Sequence, residues 1–373
     1  MIVAVMAEKS SGEQRVALVP ETVRRLTAKK IAVHVEKGAG ESAHLKDDDY
    51  RRSGAEIEQS RSDLLKIADV LVRVGAPKLD EIDELRAGAV FISPLFVRQN
   101  PELIGLLKAR NITSIALENL PRKTALQEMD VLSSQSTAAG YRAVIVAANA
   151  LGKFFPLLMT PAGTIAPARV LVLGAGVAGL QAIATAKRLG AVVDAFDVRP
   201  AVRQEVESLG ARFVESAIDE IAETSEGYAR HLSSQSLNQA RAAIQRVIAG
   251  ADVCVTTAMV PNERAPVLIT AEMIDCMRPG SVIVDLAADR GGNCALTQPG
   301  KDIVAHDVTI IGRLNLAAEV ALDASRMHSR NIEKLIEHFY HDGRFQIDFT
   351  DEIARECVVV YAGKLILDKE GLL

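Results

Sequence analysis

Residues 167–199 read PARVLVLGAGVAGLQAIATAKRLGAVVDAFDVR. An apolar run, Arg169 to Leu173, leads straight into Gly174, Gly176 and Gly179, and a stretch of good helix formers separates these from a second apolar run, VVDAF. This is GxGxxG in the context the motif requires, with a strand ahead of it and a helix behind. Gly174 permits the tight turn, Gly176 lets the backbone approach a pyrophosphate, and Gly179 allows the helix to pack closely on the strand; the helix N-terminus adds free N–H groups and the positive end of its dipole. A purely structural glycine turn is the alternative, and the completeness of the context weighs against it. The second strand ends in Asp197, eighteen residues beyond Gly179. A carboxylate there accepts hydrogen bonds from the adenosine ribose hydroxyls and repels a 2′-phosphate, which favours NAD(H) over NADP(H). Arg199 dissents, because a nearby arginine can accommodate a 2′-phosphate.

The same alternation of apolar runs and amphipathic stretches extends both ways. Asp252 to Thr256, Ser281 to Leu286 and Val308 to Gly312 follow it. Ile2 to Met6, Ile31 to Val35, Asp69 to Val74, Ala89 to Ile92 and Ser114 to Leu117 precede it, spaced by helical patterns at Glu21 to Lys29, Leu64 to Ile67 and Glu102 to Lys108. The pattern predicts an α/β fold of two doubly wound, Rossmann-like parallel-sheet domains. An Ala/Val/Leu-rich helical stretch from about Met129 to Phe155, and another beginning near Leu316, are expected to be the long helices that cross between them. The expected division is 1–132 plus 320–373 for the first domain, with a returning C-terminal tail, and 133–319 for the nucleotide domain. Gly and Pro at 161–167 (PAGTIAP) and 299–300 mark loops. Residues 216–245 insert a polar stretch expected to be a long loop followed by helix, either a lid or a tolerated insertion.

Composition bounds the function. A chain of 373 residues, 49% hydrophobic, suffices for two buried cores at roughly 150 residues per domain. With 43 Lys+Arg against 48 Asp+Glu the net charge is −5, and no basic block suggests nucleic acid or an electrostatic membrane anchor. Aromatics are 4% with no Trp, a poor supply of stacking platforms. The four cysteines at 254, 276, 294 and 357 lack zinc-site spacing and imply no disulfide framework, so no metal and a reducing compartment are expected. The start, MIVAVMAEKSSGEQR, has the look of a first strand rather than a signal peptide, and no apolar stretch is long enough to span a bilayer.

A dehydrogenase acting on an alcohol or amine needs a proton acceptor beside its substrate. The histidines at 34, 44, 231, 306, 328, 338 and 341 fall in strand, insertion or helix patterns, and none stands out as that base. Asp289, after the strand SVIVD, is better placed at the carboxyl edge of a sheet, although it could merely cap the next loop.

Over nearly its whole length the chain resembles the NAD(H)-binding component of proton-translocating nicotinamide nucleotide transhydrogenase. The stretches that carry the resemblance are GEQRVALVPETVRRL (12–26), PRKTALQEMDVLSSQSTAAGYRAV (121–144), residues 167–199, and MRPGSVIVDLAADRGGNC (277–294). The first and third are shared with alanine dehydrogenase; the second is the specific one. The resemblance implies a Re/Si-specific NAD(P)+ transhydrogenase alpha subunit, in which hydride passes directly between NADH here and NADP+ on a partner component, coupled to proton movement by a membrane component. It implies that Arg122 contacts the nicotinamide carboxamide with Asp130 and Ser133 beside it, and that Gln127 reaches the NADP(H)-binding component. Tyr228 is similar to the tyrosine of the family loop that closes over nucleotide. The implied cofactor contacts are Gly174, Ala175, Gly176, Val177, Gly179, Asp197, Val198, Arg199, Thr257, Ala258, Asp289 and Asn315. A homodimer through the nucleotide domain, on the cytoplasmic face of the inner membrane and with no span of its own, is likewise implied. Read without the resemblance, Arg122 is a surface charge at a helix entry, Asp130 a helix-capping acid and SSQS a polar helix face.

Departures from the family pattern are the loss of Pro-Ser-Arg after Asn315, where Leu316-Ala317-Ala318-Glu319 stands, and Arg73 at a common lysine position. Two competing functions remain. An alanine dehydrogenase would use Arg15, a lysine and a histidine, but Arg73 and Phe96 occupy the latter two positions. A non-catalytic NAD-binding module would have no use for Gln127 and the 121–144 segment.

Overall fold

The computed structural model describes residues 1–121, 123–217, 233–260 and 263–366. Strands β1 (Ile2–Val5), β2 (Ala32–Glu36), β3 (Glu56–Glu58), β4 (Val70–Val72), β5 (Val90–Ser93) and β6 (Thr113–Ala116) alternate with helices α1 (Pro20–Ala28), α2 (Asp47–Arg52), α3 (Arg61–Ile67), α4 (Leu79–Glu84) and α5 (Pro101–Ala109). Helix α6 (Val131–Ala150) follows, then a hairpin of β7 (Leu158–Thr160) and β8 (Gly163–Ile165). The sequence expects only a loop at 161–167, because a hairpin this short and this exposed has no burial alternation to betray it.

Next come β9 (Arg169–Leu173), α7 (Val177–Arg188), β10 (Val192–Phe196), α8 (Arg203–Ser208), β11 (Arg212–Phe213), α9 (Ser234–Ile248), β12 (Val253–Thr256), α10 (Ala271–Asp275), β13 (Val282–Asp285), β14 (Asp302–Ala305) and β15 (Val308–Ile311). The chain closes with α11 (Ala321–Phe339), a small hairpin of β16 (Tyr340–His341) and β17 (Arg344–Phe345), α12 (Glu352–Cys357), β18 (Val358–Tyr361) and β19 (Lys364–Leu365).

Two compact units result: Met1–Gln135 with Ala318–Leu373, and Ser136–Ala317. The first holds an eight-stranded sheet, β19-β18-β6-β5-β4-β1-β2-β3, parallel except for the returning β18 and β19. The second holds a seven-stranded sheet, β11-β10-β9-β12-β13-β15-β14, parallel except for β14. Both are doubly wound, with direction reversing between β1 and β4 in one and between β9 and β12 in the other, where such sheets open a crevice at their carboxyl ends. The strand cores VAV, VLV and LVL are buried on both faces, as parallel sheets covered by helices require.

Helix α1 begins with Pro20 at its first turn, followed by Glu21, and buries Thr22, Val23 and Leu26. Helix α11 buries a face that includes Ala324, Ser325, His328, Ile332, Leu335 and Phe339. Its hydroxyls serve the chain at 16–19: Ser325 Oγ accepts from Val16 N–H and Ser329 Oγ from Val19 N–H, each at 3.0 Å. Among the described residues no helix is long and apolar enough to cross a membrane.

His328, fully buried on α11, has Nδ1 3.3 Å from Ala17 O and no hydrogen-bond partner at Nε2. Burial, aided by the charge of Arg15, lowers its pKa to about 4. The unfolded chain therefore takes up this proton below pH ~6.5 while the folded one does so only near 4, and stability falls across that window by roughly 3 kcal/mol. In His328→Leu this part of the decline should vanish, leaving a flatter curve of unfolding free energy between pH 7 and 4. Parallel curves for the two proteins would refute the assignment.

Candidate functional site

In the second unit the glycine turn joins β9 to α7. Gly174 has φ +98°, a conformation that favours glycine, and a Cβ there would lie 2.5 Å from Thr257 Oγ1. A Cβ on Gly179 would fall far inside contact with the Gly174 carbonyl oxygen, so α7 sits on the turn as closely as backbone allows. A Cβ on Gly176 would meet no protein atom within 4 Å, which leaves the open backbone face that a pyrophosphate needs beside the N-terminus of α7. Val177, the first helical residue, is 39% exposed.

The turn is tied to its neighbouring strands. Thr257, just past β12, donates through Oγ1 to Gly174 O at 3.1 Å. Ala175 N–H donates to Asp197 Oδ2 at 2.7 Å, which fixes the buried carboxylate at the end of β10. Arg199 N–H and Nε donate to Asp197 Oδ1 at 2.9 and 3.0 Å, and Nη2 donates to Oδ2 at 3.0 Å. Val198 between them is half-buried. Gly174, Ala175, Gly176, Gly179, Asp197, Arg199 and Thr257 are thus brought together around one turn, and these residues fit a dinucleotide.

Ala258 is held from the next loop, where Asn293 accepts its N–H at 3.0 Å and donates to its carbonyl at 2.8 Å. That loop is organised by a residue that sequence reading passes over, Asp285 at the end of β13. Its fully buried carboxylate accepts from Thr256 Oγ1, Ala287 N–H, Asn293 N–H, Cys294 N–H and Thr297 Oγ1, at 2.6 to 3.1 Å. An acid ending an otherwise apolar strand is the signal that could have found it. Asp289 follows on an exposed turn, and Asn315 lies exposed with φ +57°.

In the first unit, Gln127 is exposed on the 3-10 turn Thr124–Met129. Asp130 caps α6: Oδ1 accepts from Ser133 N–H at 2.9 Å and Oδ2 from Ser133 Oγ at 2.6 Å. Helix α11 buttresses the segment. Asn331 donates to Glu128 O at 2.8 Å and accepts from Ser134 Oγ at 2.7 Å, and Gln135 donates to Ala324 O at 3.1 Å. Arg122 and Tyr228 lie outside the described residues.

The carboxyl ends of β1 and β4 carry a buried ionic network. Arg73 grips Glu8 through Nε (3.1 Å) and Nη2 (2.7 Å) and reaches Glu81 through Nη1; Arg61 binds Glu81 (2.6 Å) and Glu36 (2.8 Å). Arg73 and Glu8 are each 1% exposed at the side chain. Arg15 donates to both oxygens of Glu13, at 2.8 and 2.7 Å, and to Gln135 Oε1 at 2.6 Å. Phe96 takes φ +46° on a turn whose N–H groups donate to Glu118, a carboxyl whose pKa burial pushes up. Burial also pushes up the thiols of Cys254, Cys294 and Cys357, so none offers a thiolate nucleophile near neutral pH.

Comparison with known proteins places this geometry among relatives. Residues 4–139 match the family model described as alanine dehydrogenase/PNT, N-terminal domain, and residues 143–368 its C-terminal domain. The chain is 45% identical over 339 residues to the first of the polypeptides that make up NAD(P) transhydrogenase subunit alpha in Rhodospirillum rubrum, covering 89% of this chain and 88% of that one. Its fold is similar to the crystal structure of a transhydrogenase from Sinorhizobium meliloti, with a TM-score of 0.86 at 38% identity, covering 98% and 99% of the two chains. It is also similar to an L-alanine dehydrogenase, with a TM-score of 0.82 at 27% identity, covering 98% and 97%.

Asp285→Ala would strand three N–H groups and two hydroxyls in a dry interior. The expected loss is about 3–5 kcal/mol of unfolding free energy, read by urea titration of circular dichroism. A loss below ~1 kcal/mol would show that the loop does not depend on this carboxylate.

Proposed function

The chain belongs to the alanine dehydrogenase/PNT family, and within it we propose that it is the NAD(H)-binding alpha component of a proton-translocating NAD(P) transhydrogenase. The observation that carries this reading against an amino-acid dehydrogenase is the state of the first unit's arginines. Arg73 is neutralised by Glu8 and Glu81, and Arg15 is engaged by Glu13 and Gln135, so a substrate carboxylate would have to compete with internal partners. Phe96 stands where that chemistry would want a proton-carrying histidine.

Direct hydride transfer between two nicotinamides asks for no acid or base. The dihydronicotinamide supplies the hydride, and the protein must hold the reacting carbons about 3–3.5 Å apart. In this reading the glycine turn and Asp197 bind the pyrophosphate and adenosine ribose of NAD(H), with Thr257, Ala258, Asp289 and Asn315 flanking them. Arg122, with Asp130 and Ser133, orients the nicotinamide carboxamide. The capping bonds from Ser133 to Asp130 pre-set that pair, and the bond from Asn331 holds the Glu128 backbone still. Gln127, exposed on its turn, reaches the NADP(H)-binding component. Tyr228 belongs to a segment that excludes water by closing over nucleotide. A separate membrane component carries the proton, which puts the assembly on the cytoplasmic face of the inner membrane.

Self-association fits the second unit. Met159 is 79% exposed, Phe154 56% and Leu157 53%, around the hairpin of β7 and β8. Such a cluster on one projecting hairpin suits a homodimer contact. Met159→Glu is expected to shift the sedimenting species from dimer to monomer with unchanged circular dichroism; a monomeric unaltered protein would contradict the contact.

The activity test combines the chain with a purified NADP(H)-binding component and follows NADH-dependent reduction of an NAD analogue through bound NADP(H). Turnover should require both proteins and drop at least ~10-fold in Gln127→Asn, a loss of one positioned contact. Turnover with pyruvate and ammonium and no partner would overturn the proposal.

A further inference from the structure

The Asp197 carboxylate is saturated before any nucleotide arrives. A carboxylate offers about four acceptor positions, and among the described residues four donors take them: Ala175 N–H and Arg199 Nη2 at Oδ2, Arg199 N–H and Arg199 Nε at Oδ1. Two of the four are backbone groups fixed by the glycine turn and by the chain itself. The other two belong to one guanidinium, a planar fork that lays two parallel N–H bonds across the two oxygens. The pair is sheltered, with side-chain exposures of 12% for Arg199 and 6% for Asp197.

A vicinal diol makes the same kind of contact, one hydroxyl to each oxygen. We propose that Arg199 is a displaceable guard on the ribose site: its guanidinium holds the two Asp197 positions that the 2′- and 3′-hydroxyls of an adenosine ribose take, so that nucleotide binding exchanges one for the other. The inference rests on the reading of Asp197 as the NAD(H) ribose acceptor and adds how that site is controlled.

The exchange trades two charge-assisted hydrogen bonds for two others, so the diol contributes little net affinity while still imposing its shape. Such a site releases nucleotide readily, which suits a component that must load and unload NAD(H) in every cycle. With the guanidinium gone, the carboxylate keeps its two backbone donors but loses its counter-charge, and a buried charge without a partner gains more from an incoming donor than a paired one does. Removing Arg199 should therefore tighten nucleotide binding, the reverse of what deleting a ligand contact does.

Calorimetry on the full chain tests this with AMP, NADH and 2′,3′-dideoxy-AMP. For the unaltered protein, removal of the diol should weaken AMP by less than about 5-fold, because the guanidinium returns to its place; two uncompensated bonds to a carboxylate would instead cost on the order of 100-fold. In Arg199→Met and Arg199→Gln, AMP and NADH should bind roughly 10-fold more tightly, with dideoxy-AMP unchanged. Should both variants be too unstable to titrate, the AMP to dideoxy-AMP ratio of the unaltered protein decides alone. Unchanged or weaker AMP and NADH binding in the variants overturns the guard while leaving Asp197 as the ribose acceptor. An unaltered chain that binds neither AMP nor NADH overturns the nucleotide reading and the guard together.

Discussion

The closest approach in the second unit, helix α7 seated on the Gly174 carbonyl, is the constraint on which its site depends. No residue but glycine fits at 179, and Gly174 must take a positive φ beside Thr257. Once the helix is that close, Ala175 N–H points at Asp197, and Thr257 can reach back across the gap between β9 and β12 to close the turn. The helix N-terminus then opens onto Gly176, the one glycine of the motif where a side chain would meet nothing. Anion recognition in this unit follows from backbone placement first and from side-chain chemistry second.

Each unit builds the same sheet reversal, yet the chemistry at the two is different. In the second, the crevice between β9 and β12 is bounded by glycine and small hydroxyl side chains. In the first, the crevice beyond β1 and β4 is filled by the chain's own charges, Glu8 and Glu81 on Arg73 and Arg61 on Glu36. Buried ion pairs of this kind contribute little net stability, but breaking one partner is costly. They therefore fix a structure more than they strengthen it, and here they fix it against a small carboxylate substrate. The working part of the first unit lies instead on the 123–135 segment, held from beneath by α11.

Much of this is legible in the residues. Two series of apolar runs identify two doubly wound sheets, because strands buried on both faces must be apolar throughout. The glycine spacing locates the turn, and the carboxylate eighteen residues on locates Asp197. What escapes are pairings between residues whose separation in sequence carries no period. Arg15 meets Gln135 across 120 positions, and Asn331 meets Glu128 across 203. Asp285 is visible as an acid at a strand end, but its five donors come from four segments of chain and follow no spacing rule. Arg199 reads in sequence as a dissenting sign for 2′-phosphate; its guanidinium is committed instead to Asp197, two residues away. The SSQS run shows both readings at once, since Ser133 serves the Asp130 cap while Ser134 and Gln135 bind α11.

In this account the chain supplies position and no proton chemistry. The most direct measurement follows deuterium from NADH labelled at the transferring C4 position, with the chain, a partner NADP(H)-binding component and NADP+ in ordinary water. The label should arrive at C4 of NADPH undiluted, with none entering solvent. Label lost to water, or label recovered in alanine when pyruvate and ammonium are present, would contradict it.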